Sequence, residues 1–115
     1  MNINEARIDV KSVCGNKIYT RDHGRVLYNL IAQKLPKNER IVVEFDGNEI
    51  ASESFLDEAI IEHYIHPISL NSEKKIILDG MTKSDQMLMN KIYGYRMRLE
   101  KKEATKNGSK SKRAA

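Results

Sequence analysis

A single cysteine, two prolines and no long apolar run set the first limits on this chain. One thiol, Cys14, cannot close an internal disulfide, so the chain reads as reduced and cytoplasmic. Its place beside Val13 marks it as a small core or edge residue rather than a nucleophile. Spanning a bilayer takes about 20 consecutive apolar residues. No such stretch occurs, and the opening Met-Asn-Ile-Asn-Glu does not lead a positively charged segment into an apolar one. Neither a signal peptide nor a membrane partner is expected. Glycine-rich phosphate loops, paired Cys-x-x-Cys motifs and a Ser-His-Asp set at a nucleophile elbow are all missing. The expectation is therefore a protein that is not an enzyme and needs no cofactor, and no internal repeat suggests an array.

What is present suits one small domain. The chain has 115 residues, 40% of them hydrophobic, which is enough for one modest core. Its net charge of +4 is unevenly spread. From Arg96 onward eight Lys or Arg stand against Glu100 and Glu103, a surplus of +6, so residues 1–95 carry −2. The basic character belongs to the end of the chain and not to the body.

Periodicity divides the chain into alternating strands and helices. Ile8 and Val10 alternate with Asp9 and Lys11, predicting an edge or near-edge strand over 7–13. Cys14 to Lys17 is turn-like, and Ile18 and Tyr19 can add a short strand. Val26, Leu27, Leu30, Ile31 and Leu35 predict a helix over about 21–35, capped by Thr20 or Asp22 and closed by Pro36. Residues 40–45 form the strongest strand, apolar on both sides, as a central strand should be. A second helix opens at Ser52 or Ser54 and runs to about His66, where Pro67 blocks it. Ile68 and Leu70 suggest a short extended segment, and residues 75–79 a third clear strand. A third helix starts at Thr82 with Asp85 three residues on, and its stripe of Leu88, Ile92, Tyr95 and Leu99 should dock on the sheet. After Leu99 the apolar residues stop, so 1–99 reads as the domain and 100–115 as a disordered basic tail. The fold class is α/β: a small sandwich, with a mixed sheet of about four strands around a parallel core and about three helices.

Three constellations could carry chemistry. Asp46-Gly47 and Asp79-Gly80 each end a strand, and parallel neighbours would bring both carboxylates to one sheet edge, where a hard cation could bind. Asp-Gly also makes a tight exit from a strand with no further role. His63 and His66, at i and i+3, could reach one metal, but a zinc site needs further ligands and none forms a convincing set. Two histidines at a helix end also suit its dipole, and no metal is expected. The junction Ser52-Glu53-Ser54 places two hydroxyls where a helix begins. Serine is a preferred cap there, and a phosphate would also be welcome. A phosphoryl group would face Glu49, Glu53, Asp57 and Glu58 and change an acidic surface while sparing the fold.

Residues 7–95 resemble the STAS-like domain family, small bacterial proteins and modules related to STAS domains (sulfate transporter and anti-sigma factor antagonist). The resemblance is carried by residues 21–27 (Arg-Asp-His-Gly-Arg-Val-Leu), 41–47 (Ile-Val-Val-Glu-Phe-Asp-Gly) and 52–58 (Ser-Glu-Ser-Phe-Leu-Asp-Glu), the last being the most specific. In STAS domains proper the strand-to-helix junction reads Asp-Ser-Ser-Gly, and a partner kinase with an ATPase-type fold phosphorylates one of its serines. The unmodified domain captures that kinase and releases a transcription factor. Here Ser52-Glu53-Ser54-Phe55 lacks the Asp and the Gly, and Glu53 stands where one serine would.

The resemblance implies a regulatory module for signal transduction by protein–protein interaction, docking a kinase-like ATP-binding protein or a transcription regulator through residues 52–62. Ser52 and Ser54 are the candidate phosphoacceptors. Glu49, Ser52, Glu53, Ser54, Phe55, Asp57 and Glu58, with Arg21 and Arg25, are the expected partner contacts. A different class of function, nucleic-acid association, would use Arg96, Arg98, Lys101, Lys102, Lys110, Lys112 and Arg113. A metal-dependent enzyme built on Asp46 and Asp79 is a third reading.

Overall fold

In the computed structural model, residues 4–15 and 19–114 are described, with side chains through Glu103. Strand β1 (Glu5–Asp9) leads directly into a short helix α1 (Val10–Cys14). The strand expected to reach Val13 is cut short by Asp9. Its carboxylate accepts hydrogen bonds from the Lys11 backbone N–H at 3.2 Å and the Ser12 hydroxyl at 2.8 Å, which caps a helix instead of extending a strand. Ile18 lies outside the described residues, and Tyr19 belongs to no strand.

Helix α2 (Arg21–Lys34) is opened by Thr20, whose hydroxyl accepts from the His23 N–H while the His23 ring accepts from the Thr20 N–H. A 3-10 turn over Leu35–Lys37, carrying Pro36, ends it and leads into β2 (Arg40–Glu44). Three helical pieces then follow without a break: α3 (Glu53–Leu56), a π-helical turn (Asp57–Ile61) and α4 (Glu62–Ile65). The chain next passes through turns that leave Leu70 almost fully exposed, where an extended segment was expected, and enters β3 (Ile76–Asp79).

The last helix, α5 (Lys83–Ala114), runs through the stretch expected to be a disordered tail. Glu100 to Ala104 are good helix formers with no proline or glycine among them, so nothing local stops propagation at Leu99.

Among the described residues the sheet has three strands in the order β1-β2-β3, both pairings parallel. β2 is central, as its two-sided apolar pattern requires. The register puts Ile8, Val43 and Leu78 in one row and Arg7, Val42 and Ile77 in the next, on opposite faces. Ile8, Ile41, Val43 and Ile76 join Leu27, Ile31, Phe55, Ile60 and Ile61 in the core beneath the helices. The other face carries ion pairs of Arg7 with Glu5 and Glu44 at 3.0 Å and of Arg40 with Glu5 at 3.5 Å, which flank Val42. Helix α5 packs chiefly on the rod formed by residues 53–65 rather than on the sheet. Tyr95 and Leu99, read as docking residues, are 56% and 41% exposed, while Met89 and Ile92 make the buried contact.

Candidate functional site

The strand-to-helix junction is built from the end of β2. Asp46 and Gly47 take positive φ angles of 54° and 72° and turn the chain beside the matching exit of β3. The Gly47 N–H donates to the Gly80 carbonyl at 2.7 Å, and a Cβ on Gly80 would stand 2.9 Å from the Asp46 nitrogen. The two Asp-Gly pairs are thus tight exits packed on one another. Among the described residues no group of three or more His, Cys, Asp or Glu is placed to hold a metal ion.

Beyond the turn, the loop is held from α5. The Asp85 carboxylate, 1% exposed, accepts the N–H groups of Ile50 at 2.6 Å and Ala51 at 2.9 Å. Ala51 is pinned at φ 50°, a conformation costly for a residue with a Cβ. Sequence reasoning found Asp85 only as part of a helix start. That a residue 34 positions downstream fixes the approach to Ser52 leaves no periodic signal.

The two serines are placed differently. Ser52 is the cap: its hydroxyl oxygen accepts the Phe55 N–H at 3.2 Å, and its carbonyl accepts from Leu56. Ser54 is exposed and lines a cavity of about 420 Å³ between the starts of α2 and α3 and the middle of α5. Phe55, expected at a partner surface, is fully buried and stacks on Tyr19 with ring centroids 4.9 Å apart. It is a core residue, because its position on the first helical turn points at α2.

Asp57 and Glu58 are likewise spent inside the molecule. Glu58 pairs with Arg21 at 3.0 Å and with Arg25, and Asp57 pairs with Arg21 at 3.4 Å and with Arg96. Arg96 also grips Glu62, which in turn pairs with His66 at 3.2 Å. Burial pushes the Glu62 carboxyl up, but the hydrogen bonds from Arg96 and His66 outweigh it and hold it below its ordinary range. The segment Arg21-Asp22-His23-Gly24-Arg25 thereby gains a physical meaning. Arg21, Gly24 and Arg25 share one helical face, with the glycine letting α2 close on residues 53–59 while the arginines neutralise the acids beside it. A π-helical turn at this contact widens the rod where α2 and α5 both press on it.

The histidines do not meet at a metal. His63 is fully buried and stacks on Tyr28 at 4.1 Å and 15°, with Nε2 against the Tyr28 carbonyl at 3.2 Å. The Arg25 guanidinium also lies over the Tyr28 ring, 4.6 Å from its centre. Burial, opposed by the carbonyl contact, pushes the His63 pKa down. Hydrogen bonding to Glu62 pulls that of His66 up. Burial pushes the Cys14 thiol up, in line with a small packing residue.

Residues 23–75 match the family described as "STAS-like domain of unknown function (DUF4325)". This stretch is STAS-like, as the sequence resemblance implied. The matched STAS-like stretch holds α2 from His23 onward, β2 and the rod of residues 53–65, and ends before β3 and α5. No curated protein and no solved structure matches the chain.

The wall contributed by α5, with Lys91, Ile92, Tyr95, Arg96 and Arg98, therefore lies outside the STAS-like match. Of the residues assigned to nucleic-acid binding, Arg96 is held by Asp57 and Glu62, Arg98 lines the cavity, and Lys101 and Lys102 are exposed. The side chains of Lys110, Lys112 and Arg113 lie outside the described residues. Arg96 was readable in principle, since it falls on the same helical face as Ile92 and Leu99.

Proposed function

We propose that this chain is a non-catalytic regulatory module that docks a protein partner through the strand-to-helix junction, with Ser54 as the residue whose modification switches docking. The reading takes the partner to be an ATPase-type kinase, in the manner of anti-sigma factor antagonists. The observation that carries it is the division of labour between the serines. Ser52 is consumed as the cap, while the Ser54 hydroxyl makes no hydrogen bond within the described residues and is open to solvent. Glu49, Glu53, Ser54, Arg21 and Arg25 are the exposed members of the expected contact set; Asp57 and Glu58 engage the two arginines, and Glu49, Glu53 and Ser54 form the docking surface. Phe55, Asp57, Glu58, Arg21 and Arg25 support it from behind.

A phosphoryl group on Ser54 would add about −1.5 to −2 charges. It would lie beside Glu53 and compete with Asp57 for Arg21, which supports a switch that changes the surface without unfolding the domain. The test pairs the purified full chain with an ATPase-type kinase from the same genome. Ser54→Asp combined with Glu49→Lys alters only exposed positions, and a thermal melt confirms folding. The expected result is complex formation by the wild type and its loss in the variant. Undiminished binding by the folded variant refutes the docking surface, and transfer of phosphate to Ser54→Ala as readily as to wild type refutes the acceptor.

A further inference from the structure

The 420 Å³ cavity at Ser54 has a charge pattern that docking alone leaves unused. Four of its lining side chains are cationic, Arg21, Lys91, Arg96 and Arg98, against the two carboxylates of Glu53 and Asp57. Those carboxylates do not cancel the cations evenly. Asp57 is divided between Arg21 and Arg96, and Arg96, with its side chain 19% exposed, is also tied to Glu62. The Lys91–Glu53 pair spans 3.5 Å between side chains 75% and 63% exposed, a contact that solvent weakens and another anion can replace at little cost. Arg98 has no carboxylate partner among the described residues, and the undescribed side chains include no Asp or Glu. An incoming anion therefore meets one unpaired guanidinium, one loosely held ammonium and the free hydroxyl of Ser54.

The remaining wall is apolar and aromatic. Ile92 and the half-exposed Tyr95 ring face the same space, whose size lies within the range of small-ligand sites. We propose that this cavity binds a small phosphate monoester, its dianion held by Arg98, Lys91 and the Ser54 hydroxyl and its organic part packed on Tyr95 and Ile92. A phosphate offers three acceptor oxygens and up to two charges to donors arriving from two helices, whereas a carboxylate offers two oxygens and one charge. The ligand site stands whether or not a protein docks beside it.

The experiment uses the full chain, shown by intact mass to carry no covalent phosphate, so that a free ligand is distinguished from phosphoserine at position 54. Phenyl phosphate is titrated and followed by calorimetry and by amide NMR shifts, with benzoate and inorganic phosphate as comparison probes. Expected is saturable 1:1 binding with shifts centred on Ser54 and Tyr95, weaker binding of both comparison probes, and affinity that falls with salt. Arg98→Gln and Lys91→Gln, both at exposed positions, should each weaken phenyl phosphate about tenfold. The proposal is overturned by no saturable binding, by shifts confined to Lys101 and beyond, by equal affinity for benzoate, or by unchanged affinity in both folded variants.

Discussion

Replacing Gly24 by alanine should destabilise the domain, although helix propensity alone argues the opposite. In the interior of a helix, Gly to Ala gains about 0.5–1 kcal/mol, because glycine loses more backbone freedom on folding. At Gly24 the added Cβ would stand 2.9 Å from the Phe55 carbonyl oxygen, 3.0 Å from the Glu58 Cβ and 3.4 Å from the Ala59 nitrogen. Two of these are backbone atoms of the rod itself, so no side chain can swing aside to relieve the contact. Helix α2 must retreat by roughly half an ångström to restore ordinary contact distances. That movement loosens Leu27 and Ile31 against Phe55 and Ala59, all fully buried, and stretches both arginine pairs to Glu58. Overpacking of this kind costs about 1–3 kcal/mol, so the net loss should be about 1–2 kcal/mol. In a domain of this size that lowers Tm by roughly 5–15 °C. Gly94→Ala provides the internal comparison. It too lies in a helix, but its added Cβ would meet only the movable Arg98 guanidinium at 3.6 Å, so it should stabilise by about 0.5–1 kcal/mol. Circular dichroism melts and urea titrations of both variants measure the difference, in which propensity largely cancels. If Gly24→Ala proves as stable as Gly94→Ala, the close approach of α2 to the rod is not what this glycine serves.

Asp85→Asn keeps one acceptor oxygen but turns an amide N–H toward a backbone N–H, and should cost about 1–3 kcal/mol by urea titration; an unchanged midpoint would mean that the loop before Ser52 holds itself. The pKa of His63 is lowered in the folded state, so its stabilising contribution is complete above about pH 6.5 and is lost as pH falls below that value. Protonation would place a charge and an Nδ1–H without an acceptor among the described residues into a stack bounded by Tyr28, Arg25 and Glu62. The pH dependence of urea midpoints from 7.5 to 5 should therefore flatten in His63→Gln. His66, raised by Glu62, works in the opposite sense, and its contribution fades as pH rises through its folded value; the test is accordingly run in a His66→Gln background.

The fold was legible where burial repeats along the chain. The two-sided apolar run at Ile41–Val43, the stripe of Leu27 and Ile31, and the serine-opened helix ended by Pro67 all appear where periodicity and turn chemistry put them. It failed where a short polar side chain chose between two local structures. Asp9 fits the alternation of a strand, yet its carboxylate finds two donors by ending that strand, and no pattern of period two reveals this. The candidate site was half legible. Its serines announce themselves at the helix start, but which of them is free depends on a 3.2 Å hydrogen bond to Phe55. Asp57 looks like surface charge until α2 and α5 bring arginines to it from 36 and 39 residues away, and Glu58 until α2 brings Arg21 from 37 residues away.

That long-range neutralisation also decides which part of the junction can act. Three carboxylates, Asp57, Glu58 and Glu62, meet three guanidiniums, Arg21, Arg25 and Arg96, around the π-helical turn, so the helical rod is clamped from both sides by charge as well as by apolar contact. The Arg96 pairs, with all three side chains less than a quarter exposed, resist screening better than the Arg21 and Arg25 pairs, whose guanidiniums are half exposed, and removing Arg96 strands Asp57 and Glu62. Variation that preserves the domain is therefore tolerated in front of the clamp, at Glu49, Glu53 and Ser54, and across the cavity at Lys91 and Arg98, whose pairs are weak or absent among the described residues. The family-matched stretch supplies the serine and the rod, and α5 supplies three of the four cations that face them. On the proposed reading, specificity for a ligand or partner would change through α5, with the packing of residues 23–75 left intact.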